Sequence, residues 1–313
     1  MKLPKVLAVG GAHIDRRGQM TSPFVPGASI PGTMREYVGG GAFNALRTAV
    51  ALGAVGAMMS VRGGDGAGDA VSAAITGSGI EDLSAVFLDR STPSYTALLD
   101  SAGDVMAALA DMQLYEMAFP KQMRRAKMRA AIADADAVFC DANIPASGLQ
   151  RLASLSTGKP LFAIAISPAK AGRLAGILPE IACLYMNRRE AAALAGVNTG
   201  DPVPDIIGRL KALGLARGVV TQGDQPVVAF DRSVMPSLAP PPPRQVADVT
   251  GAGDALAGAM TVALLGGRPL GEALREGVAA ALLAVETGMS VPDLSKPAFA
   301  EALALVPPPA EMR

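Results

Sequence analysis

Hydrophobic positions along the chain fall in short blocks, and the blocks alternate between strand-like runs and helical spacing. Residues 6–10 are an apolar run ending in glycine, which predicts a buried parallel strand. Residues 41–52 carry apolar positions at helical spacing and stop at Gly53. Residues 55–61 and 85–88 predict strands, with a helix over about 67–76 between them. Further strand-like runs at 138–140, 161–166, 181–185 and 218–221 are separated by helical segments. Residues 227–230 and 234–238 predict a terminal antiparallel pair, and helices follow at 251–265, 270–286 and about 297–305. Strands alternating with helices imply an α/β fold, a mostly parallel sheet covered on both faces.

Two segments break this rhythm. Residues 18–33 are rich in Gly, Pro, Ser and Thr and cannot form a long helix. Tyr95-Thr96-Ala97-Leu98-Leu99 and Val105-Met106-Ala107-Ala108-Leu109 flank Asp100-Ser101-Ala102-Gly103, which predicts a β-hairpin with a tight turn. Together these segments suggest a small sheet projecting from the main body as a lid. The prolines of 240–243 read as a stiff connector.

Composition narrows the function. The interior must be filled by Ala, Leu, Val and Met, because half of the 313 residues are hydrophobic while only 4% are aromatic. Acidic and basic residues balance at 28 each, which gives no electrostatic footprint for nucleic acid or a membrane surface. Cys140 and Cys183 each end a strand-like run and read as buried thiols in preference to a disulfide. The apolar start is interrupted at His13 and Asp15 too early for a secretory signal, and no stretch is long enough to span a bilayer, so a cytoplasmic protein is expected. A single histidine leaves little material for zinc sites or a Ser-His-Asp triad, and His13 reads as a packed or loop residue.

The chemistry concentrates in Asp248-Val249-Thr250-Gly251-Ala252-Gly253-Asp254, directly before the helical run. Gly251, Ala252 and Gly253 leave backbone N–H groups uncovered at a helix start, where the helix dipole favours an anion. Asp254, in the first turn, is placed to reach the hydroxyl of a substrate facing that anion. An anion cradle beside a base suits phosphoryl transfer to an alcohol. The turn alone fits a Gly-rich helix start capped by Asp254 equally well. A Walker-type loop is absent, and Gly39-Gly40-Gly41-Ala42-Phe43-Asn44 lacks the last glycine of a dinucleotide fingerprint.

Set together, these segments resemble the ribokinase family of PfkB-type carbohydrate kinases over nearly the whole length. The resemblance is carried by Gly39-Gly40-x-Ala42-x-Asn44, Gly64-Asp65-x-x-Gly68, Asn187-x-x-Glu190, Thr221-x-Gly223 and Thr250-Gly251-Ala252-Gly253-Asp254, in the family's order. Within it the chain is most similar to pseudouridine kinases, through residues 92–100, Asp111-Met112, Asp141-Ala142-Asn143-Ile144, Ser167 and Lys170. The resemblance implies a ribokinase-like three-layer sandwich with a small β-sheet lid. The single kinase domain would span residues 1–313, its lid formed by about 16–38 and 90–112. The activity implied is ATP-dependent phosphorylation of the 5′-hydroxyl of a nucleoside, pseudouridine first, with ribose, adenosine or a non-catalytic nucleoside-binding protein as alternatives.

Residue by residue, Asp254 would be the base, and Gly251, Ala252 and Gly253 the anion cradle. Asp15, Gly40, Gly41 and Asn44 would hold the sugar, and Thr92, Ser94, Asp111 and Asn143 the nucleoside. Asp15 also fits a loop cap, Asn44 a helix-start residue, and Thr92, Ser94 and Asp111 solvated hairpin positions. Lys170, Asn187, Glu190, Thr221, Gly223, Thr250 and Gly288 would serve ATP, with Glu190 holding Mg2+ through water and Asp248 beside a monovalent cation such as K+. Asn187 fits a simple N-cap, and Lys170 a solvated lysine. A homodimer through the lid is expected. Many relatives carry Asp-Pro where Ile164-Ala165 stands and Lys-Pro where Tyr185-Met186 stands, and Pro226 replaces a glycine-like position. These departures touch the phosphate contacts and the ATP loop.

Overall fold

The computed structural model describes residues 3–287 and 292–312. Its centre is a ten-stranded sheet in the order Ala310–Glu311, Pro236–Leu238, Gln225–Phe230, Gly218–Gln222, Ile181–Asn187, Leu161–Ile164, Ala137–Asp141, Lys5–Val9, Val55–Met59 and Glu81–Asp82. From Gly218–Gln222 to Glu81–Asp82 every pairing is parallel, and the other three are antiparallel. The strands read as continuous apolar runs because helices cover both faces. Alternate residues divide between two cores: Val6 and Ala8 pack with the helices Gly41–Ala51, Ala252–Leu265 and Leu270–Glu286, while Leu7 and Val9 face Leu114, Phe119 and Leu149. This is the expected three-layer sandwich. Cys183 lies in the first core and Cys140 in the second, both as buried free thiols.

The irregular segments build a second sheet of four strands, ordered Gly32–Gly39, His13–Met20, Ser94–Leu99 and Val105–Asp111. The hairpin turns through Asp100, whose side chain accepts N–H groups from Ala102 and Asp104, both at 2.9 Å. Three details differ from the sequence reading. The 55–61 run splits at buried Ser60, and Val61–Gly63 pairs with Ala85–Phe87 in a separate two-stranded sheet. Glu81–Asp82 and Ala310–Glu311 add short edge strands, which are too brief and too polar to register as apolar runs. Among the described residues no helix is long and apolar enough to cross a membrane.

The Gly41–Ala51 and Ala252–Leu265 helices cross in close contact. A Cβ on Gly258 would lie 2.2 Å from the Ala45 carbonyl oxygen and 2.8 Å from Thr48 Cβ, so only glycine admits this approach. The crossing matters because one helix carries Asn44 and the other Asp254. Gly258→Ala is expected to destabilise the fold by about 1–3 kcal/mol through overpacking. A lowered denaturant midpoint with an unchanged slope would register it; an unchanged midpoint would mean the helices part without cost.

Candidate active site

The carboxyl ends of the parallel strands open into a cleft of about 570 Å³, where open α/β sheets bind ligands. Its first fixed point is Asp141, which ends the Ala137–Asp141 strand and is 0% exposed. Asp141 Oδ2 accepts the N–H groups of Gly11 at 2.9 Å and Ala42 at 3.0 Å, and Asn143 Nδ2 at 3.2 Å. Its Oδ1 accepts Asn143 N–H at 2.9 Å. One carboxylate thus ties the end of the first strand to the start of the Asn44 helix. Asn143 is held in turn, and its Oδ1 accepts from Lys170 Nζ at 2.6 Å. Burial lowers the Lys170 pKa, with the charge of Asp141 opposing.

Opposite stands Asp254, in the first turn of the Ala252–Leu265 helix. Its Oδ2 accepts from Asn44 Nδ2 at 2.8 Å, and Asn44 Oδ1 accepts from Arg47 Nη2 at 2.5 Å. Arg47 lies over the Phe43 ring, 4.5 Å from its centroid, and burial lowers its pKa to about 10. Burial pushes Asp254 up to about 7; the Asn44 bond pulls it down, while Asp141, Asp15 and Glu190 add to the rise. A carboxyl poised near neutrality suits a general base.

Just before it, Gly251 takes the left-handed conformation at the N-cap, with φ of 81°, which a side chain would strain. The first N–H groups of the helix have no acceptor within it. A Cβ on Gly251 or Gly253 would meet nothing within 4 Å, so the turn lies open to the cleft. The turn thus has the open geometry expected there, with the carboxyl of Asp254 one residue further on.

Most of the other expected residues converge here. Gly40, Gly41, Asn143, Lys170, Asn187, Glu190, Thr221 and Thr250 all line the cleft. Asn187 and Glu190 form a reciprocal capping box: Glu190 N–H donates to Asn187 Oδ1 at 2.9 Å, and Asn187 N–H to Glu190 Oε2 at 2.8 Å. The N-cap reading of Asn187 therefore holds alongside its place in the cleft. Burial raises the Glu190 pKa.

From the small sheet, Asp15, Tyr95 and Ala110 line the cleft in one cross-strand row, Asp15 pairing with Tyr95 and Tyr95 with Ala110. This row, with the contacts of Thr92, places three of the expected residues outside the cleft lining. Ser94 and Asp111 pair one position out of step, so strand alternation turns them to the other face. Thr92 is buried: its hydroxyl donates to Asp65 Oδ1 at 2.5 Å and accepts Gly63 N–H at 3.0 Å, holding the start of the Gly66–Gly77 helix. Gly223 occupies the turn after Gly218–Gln222 with φ of 67°, outside the cleft lining. Both Asp248 oxygens are engaged, Oδ1 by Thr250 N–H at 2.9 Å and Oδ2 by Arg17 Nη1 at 2.7 Å. Gly288 lies outside the described residues.

Several residues escape the sequence reading. His13 lines the cleft, with Nε2 3.3 Å from Asp15 Oδ1 and Nδ1 3.2 Å from the buried Tyr115 hydroxyl. Its i, i+2 spacing from Asp15 on a strand was the available signal. Arg47 shows only as a charge on an otherwise apolar helix face. Ile166 gives no signal: it has φ of 69° in a γ-turn closed by Ser167 N–H to Ala165 O at 2.8 Å, a costly conformation for a β-branched residue.

With this geometry in view, the comparisons with known proteins are specific. The pfkB family of carbohydrate kinases matches residues 3–297, and the chain belongs to that family. It is 27% identical to the pseudouridine kinase of Escherichia coli over 93% of each chain. A carbohydrate kinase from Agrobacterium tumefaciens superimposes with a TM-score of 0.88 at 44% identity, covering 99% of this chain and all of that one. Arabidopsis thaliana ribokinase, solved with ribose and ATP, shares the fold with a TM-score of 0.83 at 22% identity over 96% of this chain and 99% of its own. The protein is therefore a sugar or nucleoside kinase of the ribokinase family, a phosphotransferase with an alcohol acceptor, in a family that uses ATP and a divalent metal.

Asp254 should also mark the stability profile. Its folded pKa, about 7, lies above the ordinary carboxylate value of 3.8, so the native state binds the proton more tightly than the unfolded chain. The penalty for its charge grows as pH rises between those values and is complete above the upper one. Asp254→Asn is expected to gain thermal stability over the wild type across that window and keep the gain in mild base. Parallel melting curves of both proteins from acid to mildly alkaline pH check this; a difference that does not change with pH would contradict it.

Proposed function

We propose that this chain transfers the γ-phosphoryl group of ATP to the 5′-hydroxyl of a nucleoside, with pseudouridine the first candidate. One observation carries the proposal: a carboxyl with a pKa of about 7 adjoins an open helix N-terminus at the floor of the cleft. In this reading Asp254 accepts the hydroxyl proton as the oxygen bonds to the γ-phosphorus and the bond to the ADP oxygen breaks. The N–H groups of the turn at Gly251, Ala252 and Gly253 stabilise charge on the transferred group. Asn44 and Arg47 hold Asp254 in line, and Asp15 receives sugar hydroxyls beside His13.

Glu190 suits a water-mediated contact to Mg2+, because it is a buried carboxyl at the cleft wall, oriented by the Asn187 N–H. Bound there, the metal would supply charge neutralisation for the phosphates. Lys170, Asn187, Thr221 and Thr250, which line the same cleft, serve the ATP side in this reading. Full-length similarity to Escherichia coli pseudouridine kinase favours that acceptor over ribose or adenosine.

A panel of pseudouridine, uridine, adenosine, cytidine and ribose with ATP tests the acceptor. Pseudouridine should give the highest kcat/KM, and ribose matching it would overturn the choice. Activity should rise with pH through about 7, as Asp254 loses its proton. Asp254→Asn should lower turnover by roughly 10²–10⁴-fold while nucleotide binding persists; full turnover in that variant would remove Asp254 from the chemistry.

We propose as well that the lid pairs with a second copy of the chain. Its Val105–Asp111 strand is exposed along its length, and Met34 and Leu109 are 57% and 71% exposed. Leu109→Asp should shift a dimer to monomer in light scattering, whereas an unchanged mass in solution would refute this interface.

A further inference from the structure

Arg17 belongs to none of the roles assigned above. It sits two residues beyond Asp15 on the His13–Met20 strand, hence on the same face of the small sheet. Its guanidinium leaves that sheet for the loop before the Ala252–Leu265 helix. There Nη1 donates to Asp248 Oδ2 at 2.7 Å, and Nη2 donates to Thr250 Oγ1. Thr250 N–H in turn donates to Asp248 Oδ1 at 2.9 Å. The three residues close a ring of hydrogen bonds immediately before Gly251, where the anion turn begins.

Among the described residues the loop's other anchors lie on one side, and Gln245 Nε2 donating to Glu286 O at 2.9 Å is one of them. Ala247 and Asp248 donate N–H groups to Val285 O at 2.9 and 3.4 Å, and Arg244 pairs with Glu286, all on the side of the Leu270–Glu286 helix. Val246 and Val249 are exposed. Arg17 holds the opposite side, the one facing the small sheet.

The ring also bears on the monovalent cation. An alkali cation at Asp248 would have to share the carboxylate with the Arg17 guanidinium, a permanent positive charge on Oδ2 that repels it, while Oδ1 accepts Thr250 N–H. The residues present do not fit K+ at this carboxylate while Arg17 is in place. We propose that Arg17 is a built-in cation: it supplies at Asp248 the charge a bound alkali ion would bring, and latches the small sheet to the anion turn. A guanidinium suits both tasks, because it is always protonated and its planar fork engages two acceptors at once.

The effect on turnover rests on the kinase reading above, while the effect on ion response does not. Wild type, Arg17→Ala and Arg17→Lys are compared in potassium, sodium and tetramethylammonium chloride of equal ionic strength. One readout is steady-state phosphorylation of the acceptor selected by the panel. The other is the thermal midpoint without nucleotide or acceptor.

Wild type should give the same turnover and midpoint in all three salts. Arg17→Ala should lose roughly 10–100-fold in kcat in tetramethylammonium, the order expected when a catalytic element shifts by about 1 Å. Potassium should restore part of that loss and raise its midpoint selectively, because Asp248 is then open. Arg17→Lys should fall between the two and stay indifferent to the salt.

Potassium stimulation of the wild type, or a potassium-selective rise in its midpoint, would overturn the proposal. So would an Arg17→Ala enzyme with wild-type turnover, or one impaired equally in every salt with an unresponsive midpoint, since Arg17 would then be a structural contact only. Should no acceptor be phosphorylated, the acceptor assignment fails, and the midpoints still decide whether Arg17 stands in for an ion.

Discussion

Four N–H groups converging on the buried carboxylate of Asp141 hold the site together. Taking a carboxylate out of water is costly unless its lone pairs are satisfied, and truncating either side of such a cluster leaves buried polar groups unpaired. The cluster fixes where the first strand ends, where the Asn44 helix begins and how Asn143 faces the cleft. From that helix Asn44 reaches across the Gly258 contact to Asp254. Asp254 is thus positioned through a second carboxylate that is itself fully buried.

The cleft concentrates acids. Asp15, Asp141, Glu190 and Asp254 act on one another strongly enough that the first, second and third all raise the proton affinity of the fourth. In an unliganded fold this arrangement opposes stability, and it is tolerated because the cleft works with charged partners. Lys170 and Arg47 offset part of it, Lys170 from the cleft lining beside Asn143 and Arg47 from behind Asn44.

The fold was largely legible because its signals are local and repeated. Parallel strands buried on both faces read as apolar runs, and the anion turn reads from Gly251 and Gly253 against Asp254. Contacts set by long-range pairing were not legible. Asp141 looks like any strand-ending acid until the Gly11 and Ala42 amides meet it, and Arg17 looks like a surface charge until 231 residues later in the chain Asp248 arrives. Ser94 and Asp111 fall outside the cleft lining for a related reason: which face a strand residue takes depends on a register that shifts at the Leu98/Leu99 bulge. Thr92 precedes the strand, and its hydroxyl is used up by Asp65 and Gly63.

The departures from the family pattern at Ile164 and Tyr185 have a physical role here. A Cβ on Gly41 would lie 2.3 Å from Ile166 Cδ1, 3.7 Å from Ile164 Cγ2 and 3.5 Å from Asp254 Oδ1, so both isoleucines border the space beside the Asp254 carboxyl. Tyr185 is buried against Phe139 and shares a hydrogen bond with Thr261 at 3.1 Å, fastening the Asp254 helix to the sheet. Ile164, Ile166 and Met186 give the floor of the cleft an apolar lining. Desolvation is the largest cause of the raised Asp254 pKa, and the two isoleucines belong to the surroundings that desolvate it. The strained turn at Ile166, a conformation that costs on the order of 1–3 kcal/mol, sets an aliphatic side chain into the cleft lining against the backbone of Gly41.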